Sequence, residues 1–213
     1  MIFNMIYELT DIEKKCLRVF KYIVGVDETN VCAYWGEIVV VGVLIDKNIK
    51  YPVNDSKLLT DKQIEEKAEW LMSHIKYAVE YVTPKECDND MLKNEYKAIK
   101  RITNKLGNKG FVFIDFHSLP DRFHLPQWGY KNADRELWTV ASASIIAKYI
   151  WNKKCEWYHN LYPEYNLIHN RGSFGNQLFN LTVKYGLTKY HRWNWIKSAC
   201  KKKGINFDEI KRR

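Results

Sequence analysis

The run from Ile38 to Ile45, Ile-Val-Val-Val-Gly-Val-Leu-Ile, constrains this chain more than any other feature. Six of its eight positions are β-branched, which lowers helix propensity and suits a pleated strand. Because the run is apolar at every position rather than at alternate ones, it predicts a strand over Ile38–Asp46 that is buried on both faces. It is far shorter than the roughly 20 residues needed to span a bilayer. A second run, Lys21–Asp27 (KYIVGVD), reads as a companion strand, and Phe111–Asp115 (FVFID) as a third, short and buried.

Between these runs the period changes to that of a helix. Ile64, Ala68 and Leu71 recur on one face of Asp61–Met72, with Thr60 as N-cap and Gln63 three residues on. Lys76–Val82 alternates as a strand, and Pro84–Leu106 resumes the helical period. Arg135–Tyr158 is the longest helical pattern, with Val140, Ser144, Ala147 and Trp151 down one side. Gln177–Tyr185 is a further helix that Gly186 ends. Strands followed by alternating strand and helix predict an α/β fold with a mixed β-sheet flanked by helices. Three segments are expected: an N-terminal extension over 1–20, a core over 21–160, and a C-terminal helical part of the same domain over 161–213.

Charge separates the last segment from the rest. The net charge is +9, yet Lys184–Arg213 holds ten Lys or Arg against two acidic residues. A block containing Lys201-Lys202-Lys203 and Lys211-Arg212-Arg213 suits a polyanion such as a nucleic-acid backbone; a solvated solubilising tail is the alternative. The N-terminus lacks a basic stretch followed by an apolar one, so a secretory or membrane reading is excluded. Five widely spaced cysteines without a CxxC pair predict free thiols in a reducing, cytoplasmic setting.

Four acidic residues, in three places, stand apart from the mixed-charge helices. Asp27-Glu28 and Asp115 end apolar strands, and Asp134 lies just before the long helix. Open α/β sheets bind ligands at the carboxyl ends of their strands, so Asp27 and Asp115 can converge there. Clustered carboxylates repel one another. Hard oxygen ligands suit Mg²⁺ or Mn²⁺, and two such ions about 4 Å apart would serve phosphodiester hydrolysis. The alternative leaves Asp134 as a helix cap and Asp115 as the start of a turn. His117 and His191 have no neighbouring nucleophile, and no phosphate-cradling glycine loop is present. Helix packing is expected to account for Trp151 and Trp157, whereas Trp193 and Trp195 lie in the basic block, where bases could stack.

The ordered set Gly25-Val26-Asp27-Glu28, Trp35-Gly36-Glu37-Ile38-Val39-Val40, Asp55-Ser56-Lys57-Leu58-Leu59, Phe113-Ile114-Asp115 with Leu119-Pro120, and Asp134 ten residues before Ser144-Ile145-Ile146-Ala147-Lys148 resembles the type 2 ribonuclease H family, ribonucleases HII and HIII. Leu161-Tyr162-Pro163, Asn170-Arg171-Gly172 and Tyr185-Gly186-Leu187-Thr188 leading to His191-Arg192 continue it, so that the likeness runs from about Val24 to Trp195. It implies a ribonuclease H-like fold and a metal-dependent endonuclease that hydrolyses the RNA strand of RNA/DNA hybrids, leaving 3′-hydroxyl and 5′-phosphate ends. It implies that Asp27, Glu28, Asp115 and Asp134 bind two Mg²⁺ or Mn²⁺ ions. Asp27 would bridge them, with Glu28 and Asp115 on one side and Asp134 on the other. It further implies phosphate contacts from Lys57, Lys148, Arg171 and Arg192, and an RNA/DNA hybrid duplex as partner; a monomer is expected.

The departures from that pattern are specific. Asn30-Val31-Cys32 stands where the family carries Gly-Arg-Gly or Gly-Thr-Gly, whose small residues let the backbone approach the ribose 2′-hydroxyl. Asn30 tolerates a left-handed backbone, but Cys32 brings a Cβ towards the substrate. Ser173, or Phe174 with a one-residue shift, takes the place of a tyrosine at the RNA–DNA junction; either weakens junction specificity. Glu37 replaces a proline and is expected to face solvent. Tyr34-Trp35-Gly36 is closer to the HIII branch, and the C-terminal pieces to HII. A structure-selective nuclease on the same core and a non-catalytic nucleic-acid-binding relative remain the rival functions.

Overall fold

The computed structural model describes residues 5–107, 109–115, 119–120 and 123–213; His117 lies outside them. The chain divides into two compact units. One comprises the residues up to Thr29, Val40–Glu80 and Tyr96–Tyr149; the other comprises Asn30–Val39, Tyr81–Glu95 and Ile150–Arg213. Residues 5–20 belong with the sheet, and two short early segments belong with the C-terminal helices.

The chain runs β1 (Ile6–Glu8), α1 (Asp11–Val19), β2 (Ile23–Thr29), β3 (Ile38–Ile45), β4 (Lys50–Val53), a 3₁₀ turn (Ser56–Leu58), α2 (Asp61–His74), β5 (Lys76–Val82), α3 (Pro84–Leu106), β6 (Phe111–Asp115), β7 (Gln127–Tyr130), α4 (Ala133–Glu136) and α5 (Trp138–Leu161). A mixed five-stranded sheet has the order β5-β3-β2-β6-β7, and β1 pairs separately with β4. β2 and β6 are parallel and in register from Ile23↔Phe111 to Val26↔Ile114. β6 is parallel to β7, with Asp115 opposite Tyr130. This register brings the carboxyl ends of β2 and β6, with Asp27 and Asp115, to the same edge of the sheet.

The physical reasons for these elements are local. β3 is buried at every position but Leu44, as its unbroken apolar run requires. α2 opens with the Thr60/Gln63 capping box and buries Ile64, Ala68 and Leu71. α3 spans the expected residues but kinks at Asp90, which has φ −159° and ψ 90°. The long helix begins at Trp138 rather than Arg135, because extended Leu137 separates it from α4. α5 lies so close to β2 that a Cβ added at Gly25 would sit 2.4 Å from the Thr139 carbonyl carbon. Only glycine permits that approach.

In the second unit a 3₁₀ turn (Pro163–Tyr165) and α6 (Leu167–Asn170) lead to α7 (Asn176–Tyr185) and α8 (Trp193–Lys203). Phe179, Leu187, Ile196, Ala199, Cys200 and Ile210 form one apolar cluster there. Trp35 is fully buried among Tyr158, Tyr162, Tyr165, Tyr190 and His191. Trp151 is buried as expected, but Trp157 is 49% exposed and does not belong to the core. The last residues are not a loose tail. Leu187 donates its amide to the Lys211 carbonyl at 2.7 Å and accepts from the Arg213 amide at 2.7 Å. Arg213 pairs with Glu164, and Arg212 lies over Trp193 and Phe207. All five cysteines are free, with Cys32 exposed. Among the described residues, no helix is long and apolar enough to cross a membrane.

Candidate active site

Asp27 leaves β2 into the interior, 5% exposed, and Asp134 in α4 is 1% exposed. Burial raises the Asp27 pKa, and the charges of Asp115 and Asp134 raise it further. A hydrogen bond from Ser144 and the Glu28 amide oppose them, and the carboxyl is pushed up to about 8. Two of the other predicted carboxylates thus act electrostatically on Asp27. Asp115, half-buried at the end of β6, accepts the Ala133 amide at 2.7 Å, which ties the β6 edge to the segment bearing Asp134. Glu28 is half-buried on β2.

Two sequence motifs close around these acids. Asp55 caps the 3₁₀ turn by accepting the Lys57 amide, and the turn directs Lys57 to Asp134, with Nζ 2.7 Å from Oδ2. Burial lowers the lysine pKa, but the hydrogen bond and charge of Asp134, with Asp55 and Asp27 behind them, outweigh it and hold the pKa above its ordinary value. Ser56 shares a 2.9 Å hydrogen bond with Ser144, and Lys148 donates to the Ser56 carbonyl at 3.1 Å. Arg135 reaches Asp55 at 2.9 Å. Asp55-Ser56-Lys57 and Ser144 to Lys148, 88 residues apart at the two serines, are therefore one constellation with Asp27.

Glu13 is a positioning residue that the sequence did not disclose. It is fully buried. Its carboxylate accepts the amides of Trp138 (3.1 Å) and Thr139 (2.8 Å) and the Thr139 hydroxyl (2.7 Å) at the start of α5. It also accepts the Thr10 amide at 2.9 Å. A carboxylate at a helix N-terminus satisfies donors that have no partner within the helix and opposes the positive end of its dipole. The only signal was an acid in the first turn of a mixed-charge helix, which is ordinarily solvated.

The other predicted nucleic-acid contacts lie in the second unit. Asn30 takes the left-handed backbone expected of it, with φ 65°, and its side chain donates to the carbonyls of Trp35 and Glu37. Val31 is half-buried, and Cys32 accepts the Phe174 amide through its carbonyl. Ser173 pairs with Ala33 in an isolated bridge, and its hydroxyl donates to the Asn170 carbonyl at 2.7 Å. Arg171 has φ 53° and accepts the Trp151 indole N–H through its carbonyl. Arg192 corrects the expectation of a phosphate contact. It is fully buried, and its guanidinium donates to the carbonyls of Gly36, Val31 and Asn30. It shapes the 30–36 turn from within. Glu37 does not face solvent either: Tyr158 donates to it at 2.5 Å and Lys154 pairs with it at 2.8 Å. Burial draws His191 down to about 3; it stays neutral between Thr182 and Thr188 and serves the core.

The donor set fits a hard divalent cation. Asp134 Oδ1 is buried without a hydrogen-bond partner, although its sister oxygen is engaged by Lys57. An unsatisfied buried carboxylate oxygen is costly unless a cation approaches it. Among the described residues, however, no group of three or more His, Cys, Asp or Glu side chains is arranged closely enough to hold a metal ion.

Comparison with known proteins places this geometry in context. A model of the family Ribonuclease HII matches residues 24–198. The ribonuclease HII of Caldanaerobacter subterraneus subsp. tengcongensis is 31% identical over 204 residues, covering 92% of this chain and 83% of its own. The ribonuclease H2 of Pyrococcus horikoshii OT3 superposes with a TM-score of 0.72 at 21% identity, over 88% of this chain and 99% of that one. Bst-RNase HIII in complex with Mn²⁺ gives a TM-score of 0.62 at 21% identity, over 76% of this chain and 61% of that one. By the extent of the family match and the identity to its relative, the chain belongs to the ribonuclease HII family and is a ribonuclease H endonuclease.

Proposed function

We propose that the chain cuts the RNA strand of RNA/DNA hybrids at a site made by Asp27, Glu28, Asp115 and Asp134, leaving 3′-hydroxyl and 5′-phosphate ends. The observation that carries this reading is Asp27, a buried carboxylate whose pKa is raised first by its burial and then by the charges of Asp115 and Asp134. Such a group is poorly suited to an apo interior and well suited to binding a cation. The Mn²⁺ complex of the ribonuclease HIII neighbour supports the choice of a divalent ion.

Asp27 and Asp134 would hold the cation from the interior, and Asp115 and Glu28 from the rim. Bound divalent ions supply Lewis-acid charge at the scissile phosphate. Asp27 must lose its proton before it can serve as a ligand, which Ser144 favours by donating to the charged form. Asp134 offers Oδ1, since Lys57 holds Oδ2 and fixes the rotamer. Lys57, 61% exposed at its side chain, and Lys148 on α5 present positive charge at the same edge, where a phosphate backbone would lie.

Cleavage of a uniform hybrid, a duplex with one embedded ribonucleotide and a branched DNA tests the reading. The uniform hybrid is expected to be cut and the embedded ribonucleotide poorly, given Cys32 and either Ser173 or Phe174 in place of the junction tyrosine. Cutting of the branched DNA alone would refute it.

A further inference from the structure

A cleft in the second unit has the chemistry of a nucleotide subsite. Tyr34, Phe174, Trp195, Ser198, Ala199, Lys202 and Lys203 enclose about 230 Å³. Phe174 touches both other rings, with its centroid 4.7 Å from that of Tyr34 at an interplanar angle of 51° and 4.9 Å from that of Trp195 at 45°. Phe174, the middle ring, is 37% exposed. Residues 195, 198, 199 and 202 recur three and four apart and so share one stripe of α8. That stripe carries an aromatic at one end and an ammonium at the other.

The platform is supported from behind. Tyr34 packs on the apolar cluster that includes Phe179, Ala199 and Cys200. The Phe174 amide donates to the Cys32 carbonyl, and Ala33 pairs with Ser173. Rings held this way keep their orientation without a ligand, which lowers the ordering cost of stacking one against them. Lys203 is fixed beside the cleft by Asn176 at 2.9 Å, and among the described residues no acidic side chain lines the cleft.

We infer that this cleft binds one unpaired nucleotide of the substrate, its base against Phe174 and Trp195 and its phosphate at Lys202 and Lys203. A paired base has both faces covered by its neighbours and cannot reach a ring platform without leaving the stack. An unpaired base at a single-stranded overhang can. An aromatic floor with a cationic rim matches a base and its phosphate together, whereas an acidic peptide would use the lysines and leave the rings idle. The inference rests on the nucleic-acid substrate of the proposed function and adds a single-stranded feature to it.

The test uses a hybrid duplex carrying 2-aminopurine either in a three-nucleotide overhang or inside the duplex, mixed with the full-length protein in chelator so that nothing is cut. Fluorescence of the overhang probe is expected to be quenched and that of the internal probe unchanged. Trp195→Leu is expected to weaken binding of the overhang hybrid about tenfold, in line with the loss of one stacked base. Lys202→Glu, at an exposed position, is expected to weaken it too, and it keeps the test valid if Trp195→Leu does not fold. Equal quenching of both probes, or no quenching at all, overturns the inference. So does weakening by Lys202→Glu with Trp195→Leu folded and without effect, since charge alone would then explain binding. Cleavage of the blunt hybrid by the parent protein is measured alongside. Intact cleavage without quenching rejects the cleft alone, and loss of cleavage rejects the proposed function.

Discussion

Asp27 is protonated in the folded, metal-free protein over a range where the unfolded chain has already released that proton. Its pKa is raised to about 8, mainly by burial. The unfolded state therefore binds fewer protons between about pH 4 and 8, and stability falls as pH rises through that window. The contribution is fully present below the ordinary carboxylate pKa and gone above about pH 8. Asp27→Asn removes it. In chelator, the melting temperature of the variant relative to the parent is expected to rise between pH 6 and 8.5. A difference independent of pH would contradict the placement of Asp27. The same residue was legible as a candidate from its position at the end of an apolar strand. Its partner Ser144, and Ser56 bonded to that serine, were legible only through the family resemblance, because no local pattern tells a serine on a buried helix face that it meets a carboxylate over a hundred residues away. Arg192 was misread for a related reason. A terminal His-Arg in a basic block looks solvent-facing, and only the fold shows three carbonyls waiting for its guanidinium.

At the scale of the element, α5 is the part that the active site depends on. It presents Ser144 and Lys148, and its first turn is tied to Glu13 on α1. Glu13→Ala leaves the Trp138 and Thr139 amides buried without an acceptor, and hydrogen bonds to a charged group are worth about 1.5–3 kcal/mol each. A loss of about 3–6 kcal/mol is expected in urea unfolding, with an unchanged m-value. A loss below about 0.5 kcal/mol would show that α1 is not anchored through this carboxylate. The central strands and α2, α3 and α7 followed from apolar period and caps, since those signals are local. β1, β4 and β7 are three or four residues long and carry no alternation to detect. The expected start of α5 at Arg135 failed because the apolar pattern passes through Leu137, whereas its backbone is extended.

Across the whole molecule, the basic excess of the last thirty residues is divided in its use. Arg212 and Arg213 are engaged with Trp193, Phe207 and Glu164, and Ile210 is in the core. Deleting 201–213 would therefore unfold the second unit rather than probe binding. Lys201, Lys202 and Lys203 are exposed on the last turn of α8 and carry the surface charge. Their joint replacement by alanine is expected to weaken hybrid binding and to lower the salt slope by about 0.7–0.9 for each lysine that meets a phosphate. An unchanged slope would make the block a solubilising surface. Composition located this charge in the sequence, but it could not divide the residues that bind outward from those that hold the fold.

The account turns on carboxylates that share one cation site. The most direct measurement is cleavage of a uniform RNA/DNA hybrid as Mn²⁺ or Mg²⁺ is titrated, with the parent protein, Asp27→Asn and Asp115→Asn compared at equal concentration after their folding has been checked by circular dichroism. The parent is expected to produce 5′-phosphate ends only when the cation is present, and both variants to lose at least about a hundredfold in rate. Cation-independent cutting, or full activity in either folded variant, would contradict it.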